Sequence, residues 1–209
     1  MKHRSPAVGV IAAWAGLTIT DEQHDRLDRY AGWLRTEAVG AGGIGPGEPS
    51  RIWDRHIADS LAFSEVARAG GPVIDLGTGV GLPAVPLAIT HPDCYFVAVD
   101  RSERRIDLLR RATSVIGVDN LEARLADIDR VEETFLGLTS RAVAGPAETV
   151  RRAERLLRRG GVAIMGVSRS GLVPLDIESD VLTIEVLALP SDILEGTLTL
   201  LRMVKHVDG

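Results

Sequence analysis

The sequence has a single cysteine, no long apolar run and very little lysine. One cysteine, Cys94, excludes a disulfide framework and a metal site built from several cysteines. No stretch reaches the roughly 18 consecutive apolar residues that a membrane-spanning helix requires. No signal-peptide cleavage pattern follows the apolar residues near the start. We therefore expect a cytoplasmic protein that does not enter a membrane and holds no metal.

Positive charge is also in short supply. The formal net charge is −5, and Lys2 and Lys205 are the only lysines. A net negative chain is an awkward partner for nucleic acid, because phosphates favour basic surfaces. Arginine suits phosphate recognition, but arginine runs on helices are usually solvated faces. We therefore assign no RNA-binding role to the arginines at 101–111 or 151–159.

The apolar pattern changes near residue 70. Before it, helical spacing predicts helices over 21–39 and 50–69, which a glycine- and proline-rich loop separates. After it, strands and helices alternate, which predicts an α/β sheet of parallel strands with right-handed crossovers. We therefore expect an N-terminal helical extension at 1–70 and a catalytic domain at 71–209.

The second part of the chain contains seven predicted strands. The last two β-rich runs, 181–189 and 197–204, are joined by a linker too short for a crossover helix, so we expect an antiparallel pair. The other predicted strands lie at 73–76, 95–99, 121–125, 140–143 and 162–166, with helices at 82–90, 102–116 and 146–159.

A glycine loop follows the first strand, in the sequence V-I-D-L-G-T-G-V-G at 73–81. Glycine allows sharp turns and close approach of a ligand to the backbone, and strand–loop–helix is the setting of a nucleotide loop. A dinucleotide fingerprint would need a glycine at Leu82, whereas the third glycine is Gly81. The G-x-G-x-G pattern, with Asp75 two residues ahead, resembles the first motif of class I S-adenosylmethionine (SAM)-dependent methyltransferases. An ordinary tight turn is the alternative.

Asp100 ends the second strand, 23 residues after the first glycine. A carboxylate there can accept hydrogen bonds from both ribose hydroxyls of an adenosine ligand; a helix-capping acid is the alternative. Asp127, Ile128 and Asp129 follow the third strand and are candidates for the adenine side, with simple surface placement as the alternative. The residues that we assign to the cofactor site are Asp75, Gly77, Thr78, Gly79, Gly81, Leu82, Asp100, Arg101, Ile128 and Asp129.

Three stretches carry a narrower resemblance: R-I-W-D-R-H-I-A-D-S-L at 51–61, D-L-G-T-G-V-G-L-P-A-V-P-L-A-I at 75–89 and S-R-A-V-A at 140–144. Together they resemble the bacterial small-subunit ribosomal RNA guanine-N7 methyltransferases, the glucose-inhibited division protein B family, from about residue 30 to 166. The resemblance implies a doubly wound, Rossmann-like class I methyltransferase sheet with a C-terminal antiparallel hairpin. It also implies SAM as cofactor and ribosomal RNA or the small ribosomal subunit as partner.

The resemblance also implies roles for individual residues. The three loop glycines would line the methionine part of the cofactor, Asp100 would hold the ribose, and Ile128 and Asp129 would lie near adenine. Arg141 matches the S-R-A arginine and would face the methyl-transfer cleft as the catalytic residue. His56 and Asp59 would lie near the cofactor loop or the substrate mouth; alternatively, they pair with each other and brace their helix.

Three departures from the family pattern remove positive charge. The family usually has arginine at the position of Asp127, lysine at that of Met165, and another arginine between 189 and 201, where none is evident. These departures keep two alternatives open: a diverged methyltransferase of a small molecule or a protein, and a cofactor-binding module without activity.

Overall fold

The computed structural model describes residues 5–68, 70–168, 177–189 and 197–207. Its first two helices begin at capping side chains: Ser5 Oγ accepts from the backbone N–H of Ala7 at 3.2 Å, and Thr20 and Gln23 form a capping box. These helices are α1 (Pro6–Trp14) and α2 (Asp21–Trp33), and α2 continues into a π-helical turn, Leu34–Ala38. The predicted helix over 21–39 is confirmed, whereas α1 was not predicted.

The second predicted helix, 50–69, is wrong as a regular α-helix, and its last residue lies outside the described residues. It consists of short 3₁₀, π and α turns at Pro49–Arg51, Ile52–Ile57, Ala58–Leu61 (α3) and Ser64–Ala67. Ser60 and Ser64 donate from their hydroxyls to the carbonyls of His56 and Leu61, and such local bonds compete with regular helix geometry.

The described residues form one seven-stranded sheet in the order β3-β2-β1-β4-β5-β7-β6. The first five strands run parallel, and β7 lies antiparallel between β5 and β6, which confirms the predicted antiparallel pair. The strands are β1 (Val73–Leu76), β2 (Phe96–Asp100), β3 (Leu121–Leu125), β4 (Phe135–Arg141), β5 (Leu157–Ser168), β6 (Leu182–Leu189) and β7 (Leu198–Lys205).

Helices cover both faces of this sheet. One apolar cluster joins α1, α2, α4 (Ala84–Thr90) and α5 (Glu103–Ile116) to strand residues such as Phe96, whereas α6 (Pro146–Leu156) packs on the other face. The doubly wound α/β class is therefore confirmed. Because the N-terminal helices share the first cluster with the sheet, they form part of its core; the division at residue 70 stays a prediction. Within the described ranges, no helix is long and apolar enough to cross a bilayer.

Several predicted boundaries are wrong. Strand β4 begins at Phe135, five residues before the predicted start. The start was missed because Gly137 and Thr139 interrupt the apolar pattern of the strand. Glycine is needed at 137, since a Cβ there would overlap the carbonyl of Val66. Helix α6 ends at Leu156 and β5 starts at once, with Leu157 paired to Phe135. Pro83 precedes α4 and does not lie within its first turn.

Candidate active site

The candidate site lies at the carboxyl edge of the parallel strands, where α/β sheets bind ligands. A cavity of about 420 Å³ opens there. The loops after β1, β2, β3 and β4 and the start of α6 form its walls. The lining residues are Gly77, Asp100, Arg101, Arg105, Asp127, Ile128, Asp129, Ala142, Val143, Glu148 and Arg152.

The glycine loop has a backbone that other residues rarely adopt. Gly77, Gly79 and Gly81 have φ values of 65°, 61° and 104°, in the left-handed region that glycine tolerates without strain. A Cβ on Gly77 would also overlap the side chain of Val143, and one on Gly81 would overlap Val85. Backbone geometry therefore favours glycine at all three positions, and packing adds a second reason at Gly77 and Gly81.

Tyr30 of α2 holds this loop from below. Its hydroxyl donates to the carbonyl of Val80 at 3.0 Å, and the side chain is fully buried. Burial raises the pKa of the Tyr30 hydroxyl, so it stays protonated and remains a donor. Tyr30 was not predicted as a site residue, because the sequence shows only its apolar position on a helix.

Asp100 ties the glycine loop to α5. Its Oδ2 accepts from the backbone N–H of Gly79 at 3.0 Å, and its Oδ1 accepts from that of Ser102 at 2.9 Å. Arg105 Nη1 lies 3.5 Å from Oδ2. The carboxylate therefore caps the start of α5, which was the alternative role considered for Asp100. It also lines the cavity. Ser102, the residue before α5, makes no side-chain capping bond.

The opposite wall is a short 3₁₀ turn, Ile128–Arg130. Asp127 Oδ1 accepts from the backbone N–H of Asp129 at 3.1 Å and so shapes the turn. Asp129 pairs with Arg152 at 3.1 Å, and Arg152 also pairs with Glu148 of α6. This wall thus combines one apolar side chain, Ile128, with polar groups that are mostly engaged with one another.

The other predicted cofactor residues lie behind the cavity wall. Asp75 is buried at 1% exposure, and Thr139 Oγ1 donates to its Oδ1 at 2.7 Å. Asp75 Oδ2 and Thr78 Oγ1 are buried without a hydrogen-bond partner in the described part of the chain. The two groups are close neighbours, because the Thr78 hydroxyl lowers the pKa of the Asp75 carboxyl.

Burial disfavours the ionised form of Asp75. Burial raises the pKa of its carboxyl from 3.8 to about 6, although the hydroxyls of Thr78 and Thr139 and the charge of Arg141 partly offset the effect. The side chain of Leu82 is also buried, and it packs in the apolar cluster under the loop.

A second cavity, of about 300 Å³, adjoins the first. Ala142 lines both cavities and has φ of 57°, a left-handed value that is uncommon for a residue with a Cβ. This turn directly follows Arg141 at the end of β4. The lining residues are Arg55, His56, Asp59, Arg141, Ala142, Gly166, Val167 and Leu198.

Arg141, His56 and Glu48 form a chain of hydrogen bonds. Arg141 Nη2 donates to His56 Nδ1 at 3.1 Å, and His56 Nε2 lies 3.0 Å from Glu48 Oε2. Burial and the charge of Arg141 lower the pKa of His56 to about 4, and Glu48 opposes this effect. The imidazole is therefore neutral at pH 7. The hydrogen bonds of His56 go to Glu48 and Arg141, so the suggested pairing of His56 with Asp59 is wrong.

Arg141 is a half-buried cation with acidic and phenolic groups around it. Burial lowers the pKa of its guanidinium, and Asp59, Tyr30 and Asp75 counteract this. Its Nη1 is buried without a partner in the described ranges. Arg141, His56 and Asp59 were predicted from the sequence, whereas Glu48, which lies in the glycine- and proline-rich loop, was not.

The departures from the family pattern have different structural outcomes. Met165 is buried in β5, paired with Ser140 of β4 and Leu201 of β7, so it belongs to the core. Asp127 lies in the wall of the first cavity. The segment 190–196, part of the region that lacks the expected arginine, lies outside the described residues.

Strand order and glycine loop together define a Rossmann-like methyltransferase fold. Among solved structures, a putative O-methyltransferase from Klebsiella pneumoniae superposes with a TM-score of 0.62 at 14% identity, covering 97% of each chain. A SAM-dependent methyltransferase from Aquifex aeolicus superposes with a TM-score of 0.54 at 15% identity, covering 75% of this chain and 93% of that one. At such identities the likeness shows the fold.

The family follows from sequence. The family model described as rRNA small subunit methyltransferase G matches residues 23–169. The ribosomal RNA small subunit methyltransferase G of Mycobacterium sp. strain JLS is 36% identical over 168 residues, 77% of this chain and 71% of the relative. That of Mycolicibacterium gilvum is 40% identical over 144 residues, 66% of this chain and 63% of the relative. The chain therefore belongs to the rRNA small subunit methyltransferase G family and is a methyltransferase, and the resemblance found in its sequence is confirmed.

Proposed function

We propose that this chain transfers the methyl group of SAM to N7 of a guanine in small-subunit ribosomal RNA. The observation that carries the proposal is the meeting of two cavities at Ala142, one beside the glycine loop and one beside Arg141. A cofactor in the first cavity and an acceptor base in the second would share this boundary. The names of the relatives support ribosomal RNA as the acceptor, and a bacterial enzyme of this kind acts in the cytoplasm.

The residues of the first cavity fit the cofactor. Asp100 can accept from ribose hydroxyls while it holds the loop, because each carboxylate oxygen accepts more than one hydrogen bond. Ile128 supplies an apolar surface for adenine, with Asp129 and Arg101 at the rim. The Asp75 carboxyl and the Thr78 hydroxyl, both buried, lie under the glycine loop and are suited to the polar methionine end. The bound cofactor supplies an electrophilic methyl group on sulfur.

The chemistry that remains for the protein is positioning. Guanine N7 carries a free lone pair, so no general base has to remove a proton, and holding two reactants in line lowers the barrier entropically. Arg141 would donate to the acceptor side, and His56 and Asp59 would hold Arg141 in place. The base must leave its stack to reach this depth, which favours an unpaired guanine in structured RNA.

The test uses methyl-labelled SAM and small ribosomal subunits that lack the modification. We expect label in RNA, mapped to N7 of one guanine by base-specific cleavage, and much less label with the Arg141→Lys variant. Lysine keeps the charge but loses the planar fork. Calorimetry of SAM binding to both proteins is the control. Bound cofactor without any RNA methylation would refute the proposal.

The charge of the first cavity favours another acceptor. Four of its lining residues are carboxylates and three are arginines, and Met165 lies in the core where the family usually has lysine. A mouth with this charge is less suited to phosphates than a basic one. Label transfer to a metabolite or protein fraction after ribonuclease treatment would identify such an acceptor. Cofactor binding without label in any fraction would instead identify a binding module.

A further inference from the structure

Glu48 lines neither of the two cavities, yet it is connected to Arg141 through one histidine. It belongs to the loop between the N-terminal helical turns, and its Oε2 lies 3.0 Å from His56 Nε2. The Nδ1 of the same ring lies 3.1 Å from Arg141 Nη2. Arg141 in turn lies at the end of β4, directly before the turn that both cavities share.

The direction of these bonds follows from the chemistry of the three groups. A guanidinium has donors only, so His56 Nδ1 must be the acceptor and cannot carry a proton. A neutral imidazole then carries its proton on Nε2, where Glu48 is the acceptor. If the proton moved to Nδ1, two donors would face each other and the bond to Arg141 would be lost.

We propose that Glu48 is a positioning residue that holds His56 in its Nε2–H tautomer and thereby fixes the Arg141 guanidinium beside the acceptor cavity. The part of this proposal that concerns methyl transfer rests on the proposed function. The part that concerns the tautomer does not.

Other charged groups surround this chain of bonds and must be controlled. Arg55 acts on both His56 and Arg141, and Asp59 and Asp75 act on Arg141. Arg51 Nη1 lies 3.8 Å from Glu48 Oε1. Two variants at position 48 are therefore needed, so that the loss of the hydrogen-bond acceptor can be distinguished from the loss of the negative charge. Glu48→Gln removes the charge and keeps an acceptor oxygen, whereas Glu48→Leu removes both.

The first experiment reads the tautomer directly. Nitrogen NMR of protein labelled in its histidines distinguishes a protonated from an unprotonated ring nitrogen, and the signal missing in His56→Asn assigns His56. We expect Nε2–H and bare Nδ1 in the wild type and in Glu48→Gln between pH 6 and 8, and a mixture of tautomers in Glu48→Leu. An unchanged tautomer in Glu48→Leu would overturn the proposal, whether or not the protein methylates RNA.

The second experiment reads the reaction. We expect Glu48→Leu to lower kcat by about tenfold, the effect of one lost hydrogen bond to a charged group, with the KM for SAM nearly unchanged. Glu48→Gln should restore most of the rate, and Glu132→Gln, an exposed acid away from both cavities, should not change it. In a His56→Asn background, Glu48→Leu should have no further effect, because the variants act on one connected pair. Equal losses in both backgrounds would contradict a role through His56.

Discussion

Replacing Asp75 by asparagine should make the protein more stable. The pKa of this buried carboxyl is about 6, compared with an ordinary value of 3.8. At neutral pH, that difference corresponds to about 3 kcal/mol by which the folded state disfavours the ionised group. Asparagine has nearly the same shape and keeps an oxygen for the Thr139 hydroxyl. We expect Asp75→Asn to raise the free energy of unfolding by about 1–3 kcal/mol at pH 7.5.

The dependence on pH gives the sharper test. Because the folded-state pKa lies above the unfolded one, the folded protein binds the extra proton between pH 4 and 6. The wild type therefore loses stability, relative to the variant, as the pH rises through this window. The gain of the variant should be small near pH 4 and complete above pH 7.

Urea denaturation at several pH values, followed by circular dichroism, measures this difference. Asp119→Asn makes the same chemical change at an exposed position and should alter stability by less than about 0.5 kcal/mol. Calorimetry should show that Asp75→Asn binds SAM more weakly. The variant would thus gain stability and lose function. A variant that is less stable at pH 7.5, or equally stabilised at every pH, would show that the buried charge is not the cause.

Three other changes have definite expected outcomes. Asp100→Ala should weaken SAM binding by about 1–3 kcal/mol in calorimetry, and unchanged affinity would remove Asp100 from the site. Gly77→Ala should destabilise the loop because its Cβ would overlap Val143; Val143→Ala should recover part of the melting temperature, and no recovery would count against that overlap. Because His56 has a folded-state pKa of about 4, below its unfolded value of about 6.5, the stability that it contributes is lost as the pH falls from 6.5 to 4. His56→Asn should flatten urea-derived stability over this range, and an unchanged slope would contradict the lowered pKa.

Local sequence patterns were sufficient for the strands around the glycine loop. Strands β1 and β3 have the predicted bounds, 73–76 and 121–125. The first is a short buried run that ends at the glycine loop, and the second alternates apolar and charged residues in the sequence L-E-A-R-L. Asp100 was also located by spacing alone, since the second strand must end beside the first. These features depend on neighbouring residues and therefore appear in the sequence.

Features that depend on distant contacts were missed. In strand β4, the hydroxyl of Thr139 donates to Asp75, 64 positions earlier. A polar residue that serves such a distant contact weakens the apolar pattern by which a strand is predicted. In the sequence, Glu48 is an ordinary loop acid and Tyr30 an ordinary core residue of a helix. Only the fold shows that Glu48 contacts His56 and that Tyr30 contacts Val80. The site therefore consists of a locally encoded half, to which we assign the cofactor, and a half that only tertiary structure assembles.

The bond from Tyr30 to the carbonyl of Val80 has a thermodynamic consequence. A ligand that needs the glycine loop in its present shape also needs α2 docked, so ligand binding and docking stabilise each other by the same free energy. Saturating the protein with SAM should thus slow amide exchange and proteolysis in α2, well away from the ligand itself. A shortened chain that lacks α2 should bind SAM more weakly.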